Sequence, residues 1–238
     1  MNNSVGNTAR LIGAGLRALL VLTVICGVLY PLAVTGVAQA LFHDEANGSE
    51  IRDKSGDVVG SSLIGQRYDL PRKDPNDPEE AAKPDLKWFQ PRPSNGLGAN
   101  TVNTRYSLLL SGATNRSADD GAVDGTCTEA SAEGSLCAQV VAAREAVVAD
   151  NSTAGHKVRP QDVPADAVTS SGSGLDPNIS PAYAELQARR VAEKNGLTLE
   201  QVRRLVEDHT QGRTLGFMGE PRVNVLELNT ALKALTNS

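Results

Sequence analysis

The chain of 238 residues is poor in aromatics, at 3%, and rich in Gly (22) and Pro (12), which points to an aliphatic core wrapped in turns and long loops. Its net charge of −5 is unevenly placed: Arg10 and Arg17 precede a long apolar run and all 28 acidic residues follow it, so the remainder carries −7. A region so acidic, with no stripe of Lys and Arg, cannot neutralise a phosphate backbone, which excludes nucleic acid as a partner.

The first element is an anchor. From Ala18 to Phe42 no residue is charged, and a helix over 18–42 would extend about 37 Å against a hydrocarbon core of about 30 Å. Arg10 and Arg17 flank one side and Asp44 and Glu45 the other, so the positive-inside bias places residues 1–17 in the cytoplasm and 43–238 outside it. Ala38-Gln39-Ala40 has the small-x-small pattern of a signal-peptidase site. Cleavable signals, however, have apolar regions of about 7–15 residues, and Tyr30-Pro31 in the second half of this one suits a retained, bent helix.

Residues 47–66 read as a hairpin, with a strand around Ile51, a turn at Lys54-Ser55-Gly56, and Val58-Val59 and Leu63-Ile64 returning. Pro71 to Pro84 holds four prolines and reads as a loop, as does the Gly-, Ser-, Asn- and Asp-rich stretch from Asn95 to Ala138. Between them lies Trp88-Phe89-Gln90-Pro91-Arg92-Pro93-Ser94, with the single Trp of the chain.

Cys127 and Cys137 stand ten positions apart in the second loop, while Cys26 lies in the apolar run. The pair suits a disulfide, which would stabilise the fold by about 3 kcal/mol and persist only in an oxidising compartment. Two free thiols are the alternative; zinc lacks a Cys-x-x-Cys pair or a nearby His to complete its ligands.

A helix is expected over Ala138–Ala149, with Val140, Val141, Val147 and Val148 apolar. Ser180 caps a second helix with Pro181 in its first turn, and Gly196 closes it at Asn195. Thr198 and Gln201 form a capping box for a third, whose Leu199, Val202, Leu205 and Val206 recur at helical spacing. Val223, Val225 and Leu226 suggest a strand, and Glu227 to Leu235 a closing helix. The expected fold is therefore one transmembrane helix followed by a single extracytoplasmic α+β domain with long loops.

Ser170-Ser171-Gly172-Ser173-Gly174-Leu175-Asp176-Pro177-Asn178 leads into the Ser180 cap. Glycines before a helix can cradle an anion, but without the lysine and spacing of a P-loop the run reads as a tight turn. Gln187 lies on the ridge Tyr183, Gln187, Val191, so its amide is expected to face inward and bond either core backbone or a ligand. Arg92 with Ser94, and Glu220 and Arg222 with Asn224, are expected to hold loops or form ion pairs. His43, His156 and His209 sit in unrelated contexts, and the acidic run Asp119-Asp120-Gly121…Asp124-Gly125 lacks EF-hand spacing, so neither a catalytic nor a metal site emerges.

Tyr30-Pro31-Leu32, Asn47-Gly48-Ser49, Gly60-Ser61-Ser62-Leu63-Ile64-Gly65-Gln66, Arg92-Pro93-Ser94, Ser171 to Pro177, and Gly219-Glu220-Pro221-Arg222-Val223-Asn224-Val225-Leu226-Glu227-Leu228-Asn229 follow one another from the anchor almost to the C-terminus. In this order they resemble the C-subunit family of the Kdp potassium-transporting P-type ATPase, with Asn178 where that family often has His and insertions at 71–85 and 118–137. The resemblance implies a non-catalytic subunit of an ATP-driven, high-affinity potassium importer in a bacterial plasma membrane. Its partners would be a P-type ATPase subunit, a channel-like potassium-translocating subunit and the lipid bilayer. The role implied is to stabilise assembly and, as a catalytic chaperone, to raise the ATP affinity of the ATPase subunit. No cofactor is held tightly, and ATP would be met through the complex, with Gln187, Ser171, Gly172, Ser173 and Gly174 as nucleotide-binding candidates. Direct contact conflicts with topology, since ATP is cytoplasmic while charge and cysteine usage place the domain outside. A free-standing extracytoplasmic enzyme would need convergent catalytic groups, and an anchored binding or sensor module would leave the Kdp-like motifs unexplained.

Overall fold

The computed structural model describes residues 3–71, 73, 74, 77, 83–94, 111, 112, 121–131 and 133–236. The loops expected at 71–84 and 95–138, with Asp119 and Asp120, fall largely outside these residues. The chain divides into two units, Met1–Ser49 and Glu50–Ser238.

The first unit is helical almost throughout: α1 (Asn3–Val24), a π-helical turn (Ile25–Leu29), α2 (Tyr30–Leu41) and the short α3 (His43–Ala46). Val5–Leu41 is long and apolar enough to cross a membrane. The helix starts well before residue 18, so Arg10 and Arg17 lie on it. The π turn has a local cause. Pro31 has no N–H and its ring crowds the carbonyl four residues back, at Gly27; the turn widens so that the Tyr30 N–H reaches the Ile25 carbonyl, five residues away. Beyond Phe42, Gln39 and Asn47 exchange amide hydrogen bonds of 3.3 Å, which ties α3 back onto α2.

The second unit opens with an antiparallel hairpin, β1 (Glu50–Arg52) and β2 (Val58–Ser61), whose register slips at Ile51/Arg52. Asp53 Oδ1 shapes its turn by accepting from the N–H groups of Ser55 and Asp57. Leu63-Ile64, expected as strand, forms a turn instead, because Ser61 Oγ captures the Leu63 N–H at 3.1 Å. Gly60 is required by proximity: a Cβ there would stand 2.3 Å from Gln66 Nε2, which donates to the Val59 carbonyl at 2.7 Å, and 2.7 Å from Leu226 Cδ2.

Four longer helices follow: α4 (Leu136–Asn151), α5 (Pro181–Asn195), α6 (Leu199–Asp208) and α7 (Val225–Thr236). Helix α4 begins two residues before the expected Ala138, since Ser135 Oγ accepts from the Ala138 N–H at 3.1 Å. Ser180 caps α5, Gly196 ends it at φ 66°, and Thr198 with Gln201 makes both bonds of the capping box on α6.

A small antiparallel sheet has the order β3 (Asn178–Ile179), β5 (Arg222–Asn224), β4 (Thr210–Gln211). The strand expected over Val223, Val225 and Leu226 is corrected: it stops at Asn224, whose Oδ1 accepts from Leu226 and Glu227 N–H groups at 3.0 and 3.2 Å and so starts α7 at once. Val225 and Leu226 are buried in the first helical turn. Ala184, Ala188 and Ala192 give α5 a smooth inner face on which Val191, Val202, Val223, Leu228, Leu232 and Phe89 close the core. Each fully buried Val, Leu or Phe there contributes about 1.5–3 kcal/mol.

Candidate functional site

The segment 86–94 crosses this core without joining a sheet, so its backbone groups need other partners. Side chains from the helices supply them. Asn229 of α7 accepts from the Phe89 N–H and donates to the Phe89 carbonyl, both at 2.9 Å. Gln187 of α5 does the same for Gln90, at 2.7 and 3.1 Å. Asn195 donates to the Lys87 carbonyl at 2.8 Å. Two carboxamides thus act as short strands, pairing with single residues through both their N–H and C=O.

Arg190, one turn beyond Gln187, joins these bonds together. Its guanidinium donates to the Leu86 carbonyl, to the Trp88 carbonyl at 3.0 Å, to Asn151 Oδ1 at 2.9 Å and to Gln187 Oε1 at 2.7 Å. The side chain is 2% exposed, and burial lowers its pKa to about 10, against the pull of Tyr183, Asp150 and Asp85; it remains a cation at neutral pH. Burial also pushes the Asp150 carboxyl above the usual carboxylate range, more than Arg190 pulls it down. Four neutral oxygens hold the charge, with no direct ion pair among the described residues.

The family models match residues 12–234 to one family, described as KdpC: K+-transporting ATPase, c chain. The chain belongs to the KdpC family. Among curated relatives, the KdpC subunit of the potassium-transporting ATPase from Streptomyces avermitilis is 66% identical over 235 residues, covering 99% of this chain and 98% of its own length. The Streptomyces coelicolor subunit is 64% identical with 99% and 97% covered, and that of Mycobacterium tuberculosis H37Rv 43% identical with 92% and 96% covered. The chain is therefore an accessory, non-catalytic component of a potassium-transporting ATPase complex, with one N-terminal helix suited to a membrane anchor.

Three of the KdpC-like motifs, Arg92–Ser94, Ser171–Pro177 and, through Asn229, Gly219–Asn229, meet on the 86–94 segment. Arg92 bonds Asp176 at 3.2 Å and reaches the Thr169 and Ser170 carbonyls, while the Pro93 carbonyl accepts from the Ser171 N–H at 3.0 Å. Ser171 and Gly174 are buried and Gly172 and Ser173 exposed. The run closes on itself: the Gly174 N–H bonds the Ser171 carbonyl, and Ser173 Oγ accepts from Leu175. Its last residue, Asn178, opens the two-residue strand β3, after which Ser180 caps α5. The N-terminus of α5 is filled from inside, with Asp166 bonding the Ser180 N–H and hydroxyl at 2.7 and 2.9 Å.

The five nucleotide-binding candidates thus share one scaffold but do not converge. Gln187 and Ser171 bond positions 90 and 93, about 10 Å apart along extended chain. Gln187 has no exposed surface, and both ends of its amide are engaged. Cys127 is disulfide-bonded to Cys137, buried in the first turn of α4, and Cys26 is free. Among the described residues no cluster of three His, Cys, Asp or Glu could hold a metal.

Sequence reasoning missed Arg190 and Asn229. A signal existed for the first, since positions 183, 187, 190 and 191 form one helical stripe and Arg190 is its charged member. Asn229 closes the last KdpC-like motif but looks like any polar residue on a closing helix.

Proposed function

We propose that this chain is the assembly-stabilising subunit of an ATP-driven potassium importer in a bacterial plasma membrane, with its N-terminus in the cytoplasm and its domain outside. Its partners are the P-type ATPase subunit and the channel-like subunit, and it raises the ATP affinity of the former through the complex without touching nucleotide. The engagement of Gln187 entirely within the core carries this reading: the candidate best placed to read an adenine edge already bonds Gln90 and Arg190. Arg10 and Arg17 in the N-terminal part of the apolar helix, and an acidic domain beyond it, support the orientation.

Two measurements test the two halves. Protease added to sealed right-side-out spheroplasts should digest the chain beyond residue 50; full protection there overturns the orientation. In the purified complex, Gln187→Ala should lower thermal stability by about 1–3 kcal/mol, as buried groups lose their partner, while leaving the ATP concentration for half-maximal hydrolysis unchanged. Normal stability with weakened ATP affinity would instead assign Gln187 to nucleotide. Leaving the subunit out should raise the half-saturating ATP concentration, and an unchanged value would remove the chaperone role.

A further inference from the structure

The loop that joins β4 to β5, and runs into the Gly219–Asn229 motif, is not explained by folding of the core. Every residue from Gln211 to Arg222 is exposed, and the tip carries Leu215 at 78%, Phe217 at 72% and Met218 at 48% exposure. In a chain with three Phe, one is given to this tip. Isolated exposed hydrophobics are ordinary; three within four residues at the end of a hairpin form a patch that marks an interaction site.

The tip is built to hold its shape. Thr214 and Met218 exchange backbone hydrogen bonds of 2.9 and 3.0 Å, and an Arg213–Glu220 ion pair of 2.8 Å closes the neck. Leu215 sits at φ 54°, a conformation that Gly or Asn adopts readily and a branched apolar residue does not. The turn thus keeps an apolar side chain where a relaxed residue would fold more easily, and strain of this kind concentrates at functional sites. With its backbone fixed in advance, the turn loses little main-chain freedom on binding.

Charge narrows the occupant. Arg213 is matched by Glu220, whereas exposed Arg222 bonds only the Gln211 amide and has no carboxylate partner among the described residues. An unmatched guanidinium at the base of a hairpin whose tip holds an aromatic and a methionine matches the composition of a protein interface. A lipid-binding tip would need several basic residues to meet anionic headgroups, and the domain around this one is strongly acidic.

We infer that Leu215, Phe217 and Met218 dock this domain into an apolar pocket on another subunit of the potassium-transporting ATPase, with a carboxylate at the rim facing Arg222. The inference rests on the proposed role as an assembly subunit. The test uses the full chain in its complex, with the photo-crosslinking residue benzoylphenylalanine at position 217. Irradiation should give an adduct with one other ATPase subunit, identified by mass. Adducts only with lipid, with a second copy of this chain or with a protein outside the ATPase, or no adduct, overturn the docking. Phe217→Glu should reduce co-purifying ATPase at least tenfold and Phe217→Leu should not, with the unfolding midpoint of the free chain unchanged by either; equal recovery with both also overturns it. Orientation is read separately from Leu215→Cys in a Cys26→Ser chain expressed without partners. Labelling by a membrane-impermeant maleimide in intact cells, with no adduct in the complex, overturns the docking alone, and no labelling overturns the outward placement beneath it.

Discussion

Replacing Arg190 with alanine should destabilise the domain by about 3–5 kcal/mol, the upper range for loss of a buried polar network. The guanidinium donates to four oxygens, those of Leu86, Trp88, Asn151 and Gln187; Gln187 Oε1 keeps the Gln90 N–H, and the other three lose this donor together. Each buried acceptor left unsatisfied costs about 1–3 kcal/mol; Leu86 and Trp88 are half-buried and recover part of that from water, which holds the sum below three full penalties. At about 2–4 °C per kcal/mol for a domain of this size, the midpoint should fall by about 10 °C. Arg190→Lys should recover only part of the loss, since an ammonium cannot span the four positions of a planar fork. Thermal unfolding of the detergent-solubilised chain reads both variants. A midpoint for Arg190→Ala within 2 °C of the parent would mean that the segment 86–94 is held by other means.

How much of this was readable in advance depended on whether the information was local. The Ser180 cap, the Gly196 stop and the Thr198–Gln201 box are each set within four residues of sequence, and all three appear in the fold as read. Asn224 is also a local signal, but the β-branched Val223 and Val225 on either side argued for strand and hid the cap. Strands β3 and β4 are two residues long and exist only because β5 lies between them, so no periodicity announces them. The π turn was half legible: Pro31 predicted a disturbed helix, while the choice of a widened turn over a break depends on the flanking helical register.

The candidate site was legible as residues and not as partners. The ridge reading placed Gln187 inward, yet its partner Gln90 lies 97 positions away, and Arg190 reaches Leu86 across 104. Helical spacing tells which face a residue occupies but not which loop crosses that face. The nucleotide candidates came from the family resemblance, and the geometry ties them to the same segment without forming a cleft. That segment links α5, α7 and the 169–176 turn, so its position depends on residues far apart in the chain.

Asn229 gives the sharpest test of that segment, because Phe89 has no exposed surface and Asn229 is 2% exposed. Asn229→Ala removes the partner of a buried N–H and a buried C=O at once, and with water excluded the loss should be about 2–6 kcal/mol. Asn229→Asp separates the two bonds. An ionised carboxylate still accepts from the Phe89 N–H but faces the Phe89 carbonyl with no proton to donate, whereas the neutral carboxyl satisfies both. Burial disfavours the charged form, so the introduced group has a folded-state pKa above the value of about 3.9 that it has unfolded. The folded state therefore binds the proton more tightly, and stability relative to the parent falls as pH rises between the two values. Near pH 4 the deficit of Asn229→Asp should be small; above it the deficit should grow by about 1.4 kcal/mol per pH unit until the folded carboxyl ionises, then level off. Chemical unfolding of parent and variant in parallel from pH 4 to 8 reads this difference directly. A deficit that does not change with pH would show that the position 229 side chain donates nothing to Phe89.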